Sequence, residues 1–221
     1  MSRSAFITGA ARGIGKAIAE RLEKDGIRLI RPSRSELDLS KPDSVDDFCR
    51  LNSIHPDILI YAAGENFPKP IEDTSIEGLQ QTLQVNFLSA FRLMQATAPE
   101  MRRRKWGRIV MISSCYSFLA RPGRVAYSAS KAALEAMTRT AALEFGPEGV
   151  LVNSVCPGFV DTELTRKNNT PERIQTLAAG TALGRLANPD EVAELVAFLV
   201  SDKNTYLTGQ SLVIDGGFSI Q

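Results

Sequence analysis

Thr8-Gly9-Ala10-Ala11-Arg12-Gly13-Ile14-Gly15 follows the apolar run Ala5–Thr8 and leads at once into an amphipathic stretch. In that stretch Ile14, Ala17, Ile18, Arg21 and Leu22 recur at i, i+3, i+4 spacing, and Gly26 supplies a stop. A strand, a glycine-rich turn and a helix in immediate succession form a phosphate cradle. Glycines let the backbone approach a pyrophosphate closely, and the helix N-terminus offers free N–H groups and the positive end of its dipole. The spacing is Gly-x₃-Gly-x-Gly rather than Gly-x-Gly-x₂-Gly. Glycines in such a turn also serve plain tight packing, but the placement between strand and helix favours a dinucleotide, with Gly9, Arg12, Gly13, Ile14 and Gly15 as the contacts.

Outward from this turn the chain alternates short apolar runs with longer amphipathic ones. Strands are expected at Ala5–Thr8, Ile27–Arg31, Ile58–Tyr61, Arg108–Ile112, Leu151–Val155 and Ser211–Ile214. Several are almost continuously apolar, as strands covered on both faces are. Helices are expected over Ser75–Arg103, Val125–Glu144 and Pro189–Val200, the last with Asn188 as N-cap and Pro189 at the first helical position. Alternating strand and helix predicts a doubly wound parallel α/β sheet. With 221 residues and no linker, repeat or low-complexity segment, residues 1–221 read as a single domain. The polar stretch 161–180 is a candidate substrate lid.

Composition narrows the chemistry. With 26 basic and 25 acidic residues the net charge is +1, which gives no electrostatic footprint for nucleic acid or an anionic membrane. The one histidine, His55, rules out multi-histidine metal sites and leaves a serine hydrolase a single imidazole; no metal site is expected. Cys49, Cys115 and Cys156 are odd in number and widely spaced, so reduced thiols and a cytoplasmic location are expected. Ala5-Phe6-Ile7 is too short for a signal-peptide core, and no apolar run approaches the ~18 residues of a membrane span.

Cofactor choice falls at the end of the second strand, Ile30-Arg31-Pro32-Ser33-Arg34. An acid there would bind a ribose 2′-hydroxyl and repel a 2′-phosphate, whereas an arginine favours the phosphate. Ser33 and Arg34 stand where the acid would be, with Arg12 nearby, so NADP(H) is preferred over NAD(H). Glu36, 21 residues past Gly15, keeps NAD(H) open, and solvated surface arginines are the plainer reading.

Tyr127-Ser128-Ala129-Ser130-Lys131 places a phenol and an ammonium one helical turn apart on one face. An ammonium beside a phenol stabilises phenolate, as acid–base chemistry near neutral pH requires. Ser113 and Ser114 follow an apolar strand at the carboxyl end, where open α/β sheets bind ligands. With these residues the sequence resembles the short-chain dehydrogenase/reductase family over nearly its whole length. The glycine turn with Thr8 is similar to the family's opening motif, and Tyr61-Ala62-Ala63-Gly64 takes the place of its Asn-Asn-Ala-Gly. Val85-Asn86 resembles its active-site asparagine, Ser114 its serine, and Tyr127-x₃-Lys131 its signature. Cys156-Pro157-Gly158 with Val160 and Thr162 resembles its nicotinamide-side loop, and Leu207-Thr208-Gly209-Gln210 through Asp215-Gly216-Gly217 its C-terminus.

The resemblance implies a Rossmann-type fold and hydride transfer between a nicotinamide and a carbonyl or secondary alcohol. Tyr127 would move the proton, Ser114 would hydrogen-bond the substrate oxygen, Lys131 would hold ribose and tune Tyr127, and Asn86 would position a relay water. The remaining implied cofactor contacts are Ser33, Arg34, Asp38, Ala63, Gly64, Pro157, Gly158, Val160 and Thr162. Plainer roles are a turn cap for Ser114, backbone bonding for Asn86 and a solvated face for Lys131. A homodimer or homotetramer through Ser75–Arg103 and Val125–Glu144 is implied as well.

Two departures stand out. Tyr61 and Ala62 replace both asparagines, and the Tyr61 phenol can return one hydrogen bond. Leu37-Asp38-Leu39-Ser40 resembles the end of the family's third strand yet follows Arg34 almost directly, so the helix between second and third strands is missing. A parallel crossover needs a dozen or more residues, so either Leu37–Leu39 is no parallel strand or the sheet edge is rebuilt. Arg121 and Arg124, between Ser114 and Tyr127, are candidates to meet an anionic substrate group, carboxylate or phosphate, and surface charge explains them equally. The run Arg102-Arg103-Arg104-Lys105 suggests carrier docking, but complementing a helix dipole suffices for it. The expected function is an NADP(H)-dependent reductase of small carbonyl substrates, a 3-oxoacyl thioester first. An NAD(H)-dependent alcohol, cyclic-alcohol or sugar dehydrogenase, or a non-catalytic nucleotide-binding regulator, are the alternatives.

Overall fold

The computed structural model describes residues 3–52 and 54–220. Its strands are β1 (Ser4–Thr8), β2 (Arg28–Ile30), β3 (Ile58–Tyr61), β4 (Gly107–Ile112), β5 (Val150–Pro157) and β6 (Ser211–Ile214). They form one sheet in the order β2-β1-β3-β4-β5-β6, parallel at every pairing. The helices are α1 (Gly13–Lys24), α2 (Pro42–Asn52), α3 (Ile76–Leu83), α4 (Ser89–Arg103), α5 (Val125–Phe145), α6 (Glu163–Lys167), α7 (Pro171–Ala179) and α8 (Pro189–Val200). Every residue of β3 and β4 is buried, which is why these strands read as apolar runs without alternation.

Alternate side chains still go to opposite faces. Ile58 and Ile60 pack with Ile18, Leu22, Val192 and Val196 of α1 and α8. Leu59 and Tyr61 pack with Val45 of α2, Leu93 and Met101 of α4, and Leu134 of α5. Helix α8 starts as its sequence suggests, with Asn188 and Glu191 forming a reciprocal capping box. Among the described residues, no helix is long and apolar enough to cross a membrane.

The sheet edge resolves the question posed by Leu37–Leu39. Those residues are not a strand. The Glu36 carboxylate accepts from the Ser33 backbone N–H at 2.8 Å and its hydroxyl at 2.7 Å, closing a turn just after β2. The chain then enters α2, a helix the sequence reading passed over, and α2 is the crossover from β2 to β3 past β1. Val45, Phe48 and Cys49 turn inward at i, i+3, i+4, but only Val45 is fully buried. So narrow an apolar stripe among Asp43, Asp46, Asp47 and Arg50 gives a weak periodic signal.

The span Ser75–Arg103 is helical throughout, with the Ser75 hydroxyl accepting from Gly78 N at its start. It is not one α-helix, however. Gln84–Leu88 forms a π turn between α3 and α4, closed by Ser89 N–H donating to the Gln84 carbonyl. Such insertions shift the hydrogen-bond register by one residue and recur at functional sites. The fully buried Tyr61 phenol donates to the Val85 carbonyl inside this turn, and so returns a hydrogen bond where the family's motif has asparagine. Tyr61→Phe leaves that buried carbonyl without its donor. The expected loss is about 1–3 kcal/mol, read as a drop in urea midpoint at unchanged slope; a variant as stable as the parent would contradict the bracing.

Candidate active site

A groove of about 370 Å³ opens at the carboxyl ends of β1 and β3, over the start of α1. The whole stretch Thr8–Gly15 lines it, together with Ser33, Arg34, Asp38, Ala63, Gly64 and Thr162. Two glycines are obligatory. A Cβ on Gly15 would sit 2.3 Å from the Gly9 carbonyl oxygen. Gly9 has φ +69° and would put a Cβ 2.9 Å from the Ala63 backbone. Thr8 Oγ1 accepts from the N–H groups of Ala62 and Ala63, both at 3.2 Å, which ties the ends of β1 and β3 together below the turn. Helix α1 has no side-chain cap, so its first N–H groups face the groove unspent. A close backbone cradle at an uncapped helix start fits a dinucleotide pyrophosphate.

At the far rim stand Arg12, 3.6 Å from Glu163, and Arg34, 3.8 Å from Asp38, both highly exposed. Glu36 is spent on Ser33 and does not line the groove. Asp38 does line it, and its carboxylate accepts from the Ser40 hydroxyl at 2.6 Å, which holds the acid below its ordinary range. Pro157, Gly158 and Val160 lie outside the groove wall: Pro157 ends β5, Gly158 N donates to the Ile214 carbonyl, and buried Val160 bridges to Ala187. Stretch 161–180 contains the short helices α6 and α7, capped by the Thr162 and Thr170 hydroxyls. Asn168 Nδ2 ties it to the Asn66 carbonyl beyond β3.

Asn86, Ser114, Tyr127 and Lys131 lie near one another beyond the ends of β3 and β4; none of the four lines the groove, and Lys131 and Asn86 approach it behind Gly64. Asn86, fully buried in the π turn, accepts from Glu65 N at 2.9 Å and donates to the Glu65 carbonyl at 3.0 Å and to Ser130 Oγ at 2.9 Å. Ser130 Oγ in turn donates to the Tyr127 carbonyl. The amide is thus a clamp between the loop after β3 and α5, with both its N–H bonds used within the protein. Lys131 is buried and donates to the Ile112 carbonyl at 2.8 Å, with Nζ 5.7 Å from the Tyr127 ring centre. A Cβ on Gly64 would lie 3.4 Å from that Nζ, so the ammonium reaches the groove's edge.

Burial pushes the Tyr127 phenol up to about 12, while the Ser114 hydroxyl and the Arg124 charge pull it back. The group is therefore a protonated acid at neutral pH, and the charge that opposes burial comes from Arg124 rather than from Lys131. Burial lowers Lys131 to about 8, with Cys156 and Glu135 opposing. Ser114 also caps a turn, accepting from Tyr116 N at 3.2 Å, so its plainer role and its place beside the phenol coexist.

Sequence reading missed Glu135, one turn beyond Lys131. Its buried carboxylate accepts from Ser154 Oγ at 2.8 Å, from Cys156 Sγ at 3.4 Å and from Ser211 Oγ, fastening α5 to β5 and β6. The Tyr127, Lys131, Glu135 spacing of four was the available signal.

On the carboxyl edge of the doubly wound sheet, a groove that fits a dinucleotide pyrophosphate adjoins, at Gly64, a cluster of an amide, a hydroxyl, a phenol and an ammonium. A family model described as enoyl-(acyl carrier protein) reductase matches residues 31–219. A 3-oxoacyl-[acyl-carrier-protein] reductase FabG of Vibrio cholerae is 34% identical, covering 96% of each chain. A D-beta-hydroxybutyrate dehydrogenase of Rhizobium meliloti is 31% identical over the full length of both. Among solved structures, a 4-hydroxyisoleucine dehydrogenase complexed with NADH superposes with a TM-score of 0.93 at 28% identity over all of both chains. The chain belongs to the short-chain dehydrogenase/reductase family.

The buried ammonium gives a signed prediction. Its lowered value means that, between about pH 8 and the ordinary 10.5, the unfolded chain holds a proton that the fold releases. Stability therefore rises with pH across that window, the burial penalty being complete below it and relieved above it. Lys131→Met should lack this rise, so urea midpoints of parent and variant converge as pH increases. A difference that stays flat would refute the buried charge.

Proposed function

We propose that the protein uses NADPH to reduce an oxo group on an acyl chain to a secondary alcohol, Asn86, Ser114, Tyr127 and Lys131 being its active-site residues. The observation that carries this reading is the half-buried Tyr127 phenol, its ring centre 5.7 Å from Lys131 Nζ, which reaches Gly64 at the edge of a groove shaped for a dinucleotide. When bound, the nicotinamide supplies the hydride. Tyr127 gives its phenolic proton to the carbonyl oxygen as that oxygen gains charge, and Ser114 Oγ donates a hydrogen bond to the same atom. Lys131, whose ammonium reaches the groove edge beside Gly64, would hold the cofactor's ribose, and Arg124 is the charge that steadies the phenolate left behind. Asn86 fixes the distance between the loop after β3 and α5, and the π turn removes one carbonyl from the α-helical ladder for a proton-relay water.

The glycine turn Gly9–Gly15 holds the pyrophosphate, and Ala63, Gly64, Asp38 and Thr162 line the dinucleotide's path. Pro157, Gly158 and Val160, outside the groove wall, would hold the nicotinamide end of the cofactor from the end of β5. Arg12, Ser33 and Arg34 favour a 2′-phosphate, because the competing acid Glu36 is already tied to Ser33. Segment 161–180 closes over the bound substrate. The relatives' names point to 3-oxoacyl and hydroxyacyl compounds, and a 3-oxoacyl group is the first substrate to try. Exposed Leu88, Phe91 and Leu143 mark the π turn, α4 and α5 as the faces of a homodimer or homotetramer, and the three free thiols suit the cytoplasm.

Two experiments test this. Tyr127→Phe should lower kcat for NADPH-dependent carbonyl reduction by about 10²–10⁴-fold; unchanged turnover would sink the mechanism and leave a nucleotide-binding protein. Arg34→Ala should raise the KM for NADPH by roughly tenfold with little change for NADH. A parent enzyme more efficient with NADH would make it an NAD(H)-dependent alcohol or sugar dehydrogenase.

A further inference from the structure

We infer that the substrate carries a free carboxylate a few bonds from its reacting carbonyl, and that Arg124, assisted by Arg121, binds that carboxylate. This rests on the reading of Tyr127 given above and narrows its substrate. Arg124 is 8% exposed, and its Nη1 is shut off from solvent without a hydrogen-bond partner. Among the described residues, no hydrogen bond or ion pair engages its guanidinium. A buried charge is tolerated when it is paired and hydrogen-bonded, and Arg124 is neither.

Arg121 adds a second positive charge and no anion. Its Nη1 donates to the Tyr116 hydroxyl at 2.9 Å, and no carboxylate of the described residues lies within ion-pair distance of it. Burial first, then the charge of Arg121, pushes the Arg124 guanidinium down, with only the Tyr116 and Tyr127 phenols opposing. The basic run before β4 behaves differently: Arg102, Arg103 and Arg104 each face a carboxylate, Glu148, Glu100 and Asp57. Two neighbouring guanidiniums lacking an internal counter-ion await one from outside.

Placement says which anion. Arg124 is the N-cap of α5, three residues before Tyr127, so the two side chains share one face of the first turn. The backbone there is anchored, since Lys69 N donates to the Gly123 carbonyl. Tyr116 meets Phe159 edge-on at 6.1 Å, and Phe159 meets Phe218 at 5.0 Å, giving the Arg121–Tyr116 pair an aromatic backing. An anion held one helical turn from the proton donor belongs to the same small molecule as the carbonyl. The phosphate of a pantetheine thioester lies a whole carrier arm away, whereas the carboxylate of a short oxo acid lies within reach. The planar guanidinium fork also matches a carboxylate bidentately.

The test compares acetoacetate with methyl acetoacetate and with its neutral N-acetylcysteamine thioester, in NADPH oxidation by the full-length enzyme. The parent should favour the free acid in kcat/KM by about 10–100-fold, and Arg124→Gln should collapse that ratio through the KM for acetoacetate, as loss of a charge-assisted hydrogen bond does. Arg124→Lys should restore part of it. An acid-to-ester ratio near one in the parent overturns the inference even if Arg124→Gln does not fold, and so does a thioester that outperforms the acid. If no substrate turns over, the reading of Tyr127 fails, and calorimetric titration of acetoacetate and its ester then decides the pocket separately. Acid-selective binding weakened by Arg124→Lys supports it; equal or absent binding of both refutes it.

Discussion

Every pairing in this sheet is parallel, and that constraint places everything else. A parallel strand cannot return through a tight turn, so each strand must discharge at the same edge and travel back across a face. The glycine turn after β1, Ala62–Gly64 after β3, Ser113-Ser114 after β4 and Pro157-Gly158 at the end of β5 are therefore brought to one rim, although up to about 150 residues separate them. None of these segments needs to attract another. Burial of apolar strands on both faces supplies the free energy, and the rim arises as a geometric consequence.

What the rim adds is polar fastening in a region that cannot be filled with apolar side chains. Thr8 ties two strand ends, Asn86 ties a loop to a helix, Tyr61 ties a strand to the π turn, and Glu135 ties α5 to β5 and β6. Each uses its hydrogen bonds within the protein and so avoids the cost of a buried unsatisfied group. The buried charges divide by the same criterion. Lys131 has a carbonyl, while Arg124 has no such partner.

The architecture was legible because period and punctuation agreed: buried runs at the central strands, glycines at Gly9 and Gly15, a cap at Asn188. That Asn86, Tyr127 and Lys131 would come together in space was legible through the ordered motifs of a family, since a phenol and an ammonium four residues apart are ordinary by themselves. Three features were not. Helix α2 hides because one fully buried valine and four charged residues outline a stripe too faint to count. The π turn hides because an inserted residue leaves the apolar pattern of Ser75–Arg103 almost intact while changing which carbonyls are free. Glu135 hides because its partners, Ser154, Cys156 and Ser211, are distant in sequence and ordinary in type.

One edge of the sheet is β2, three residues long and followed, after Arg31, by Pro32. A short edge with no room to extend offers little to a foreign strand. The groove keeps its floor because Leu37–Ser40 stays in place as a loop. Leu37 is buried against the α2 and α4 core, Asp38 is fastened to Ser40, and Gln84 and Ser89 donate to the Leu39 carbonyl. Those last two residues flank or close the π turn that carries Asn86. The Leu37–Ser40 loop is thus anchored to the same helical break that carries Asn86, so the groove and the side-chain cluster beyond Gly64 share one support.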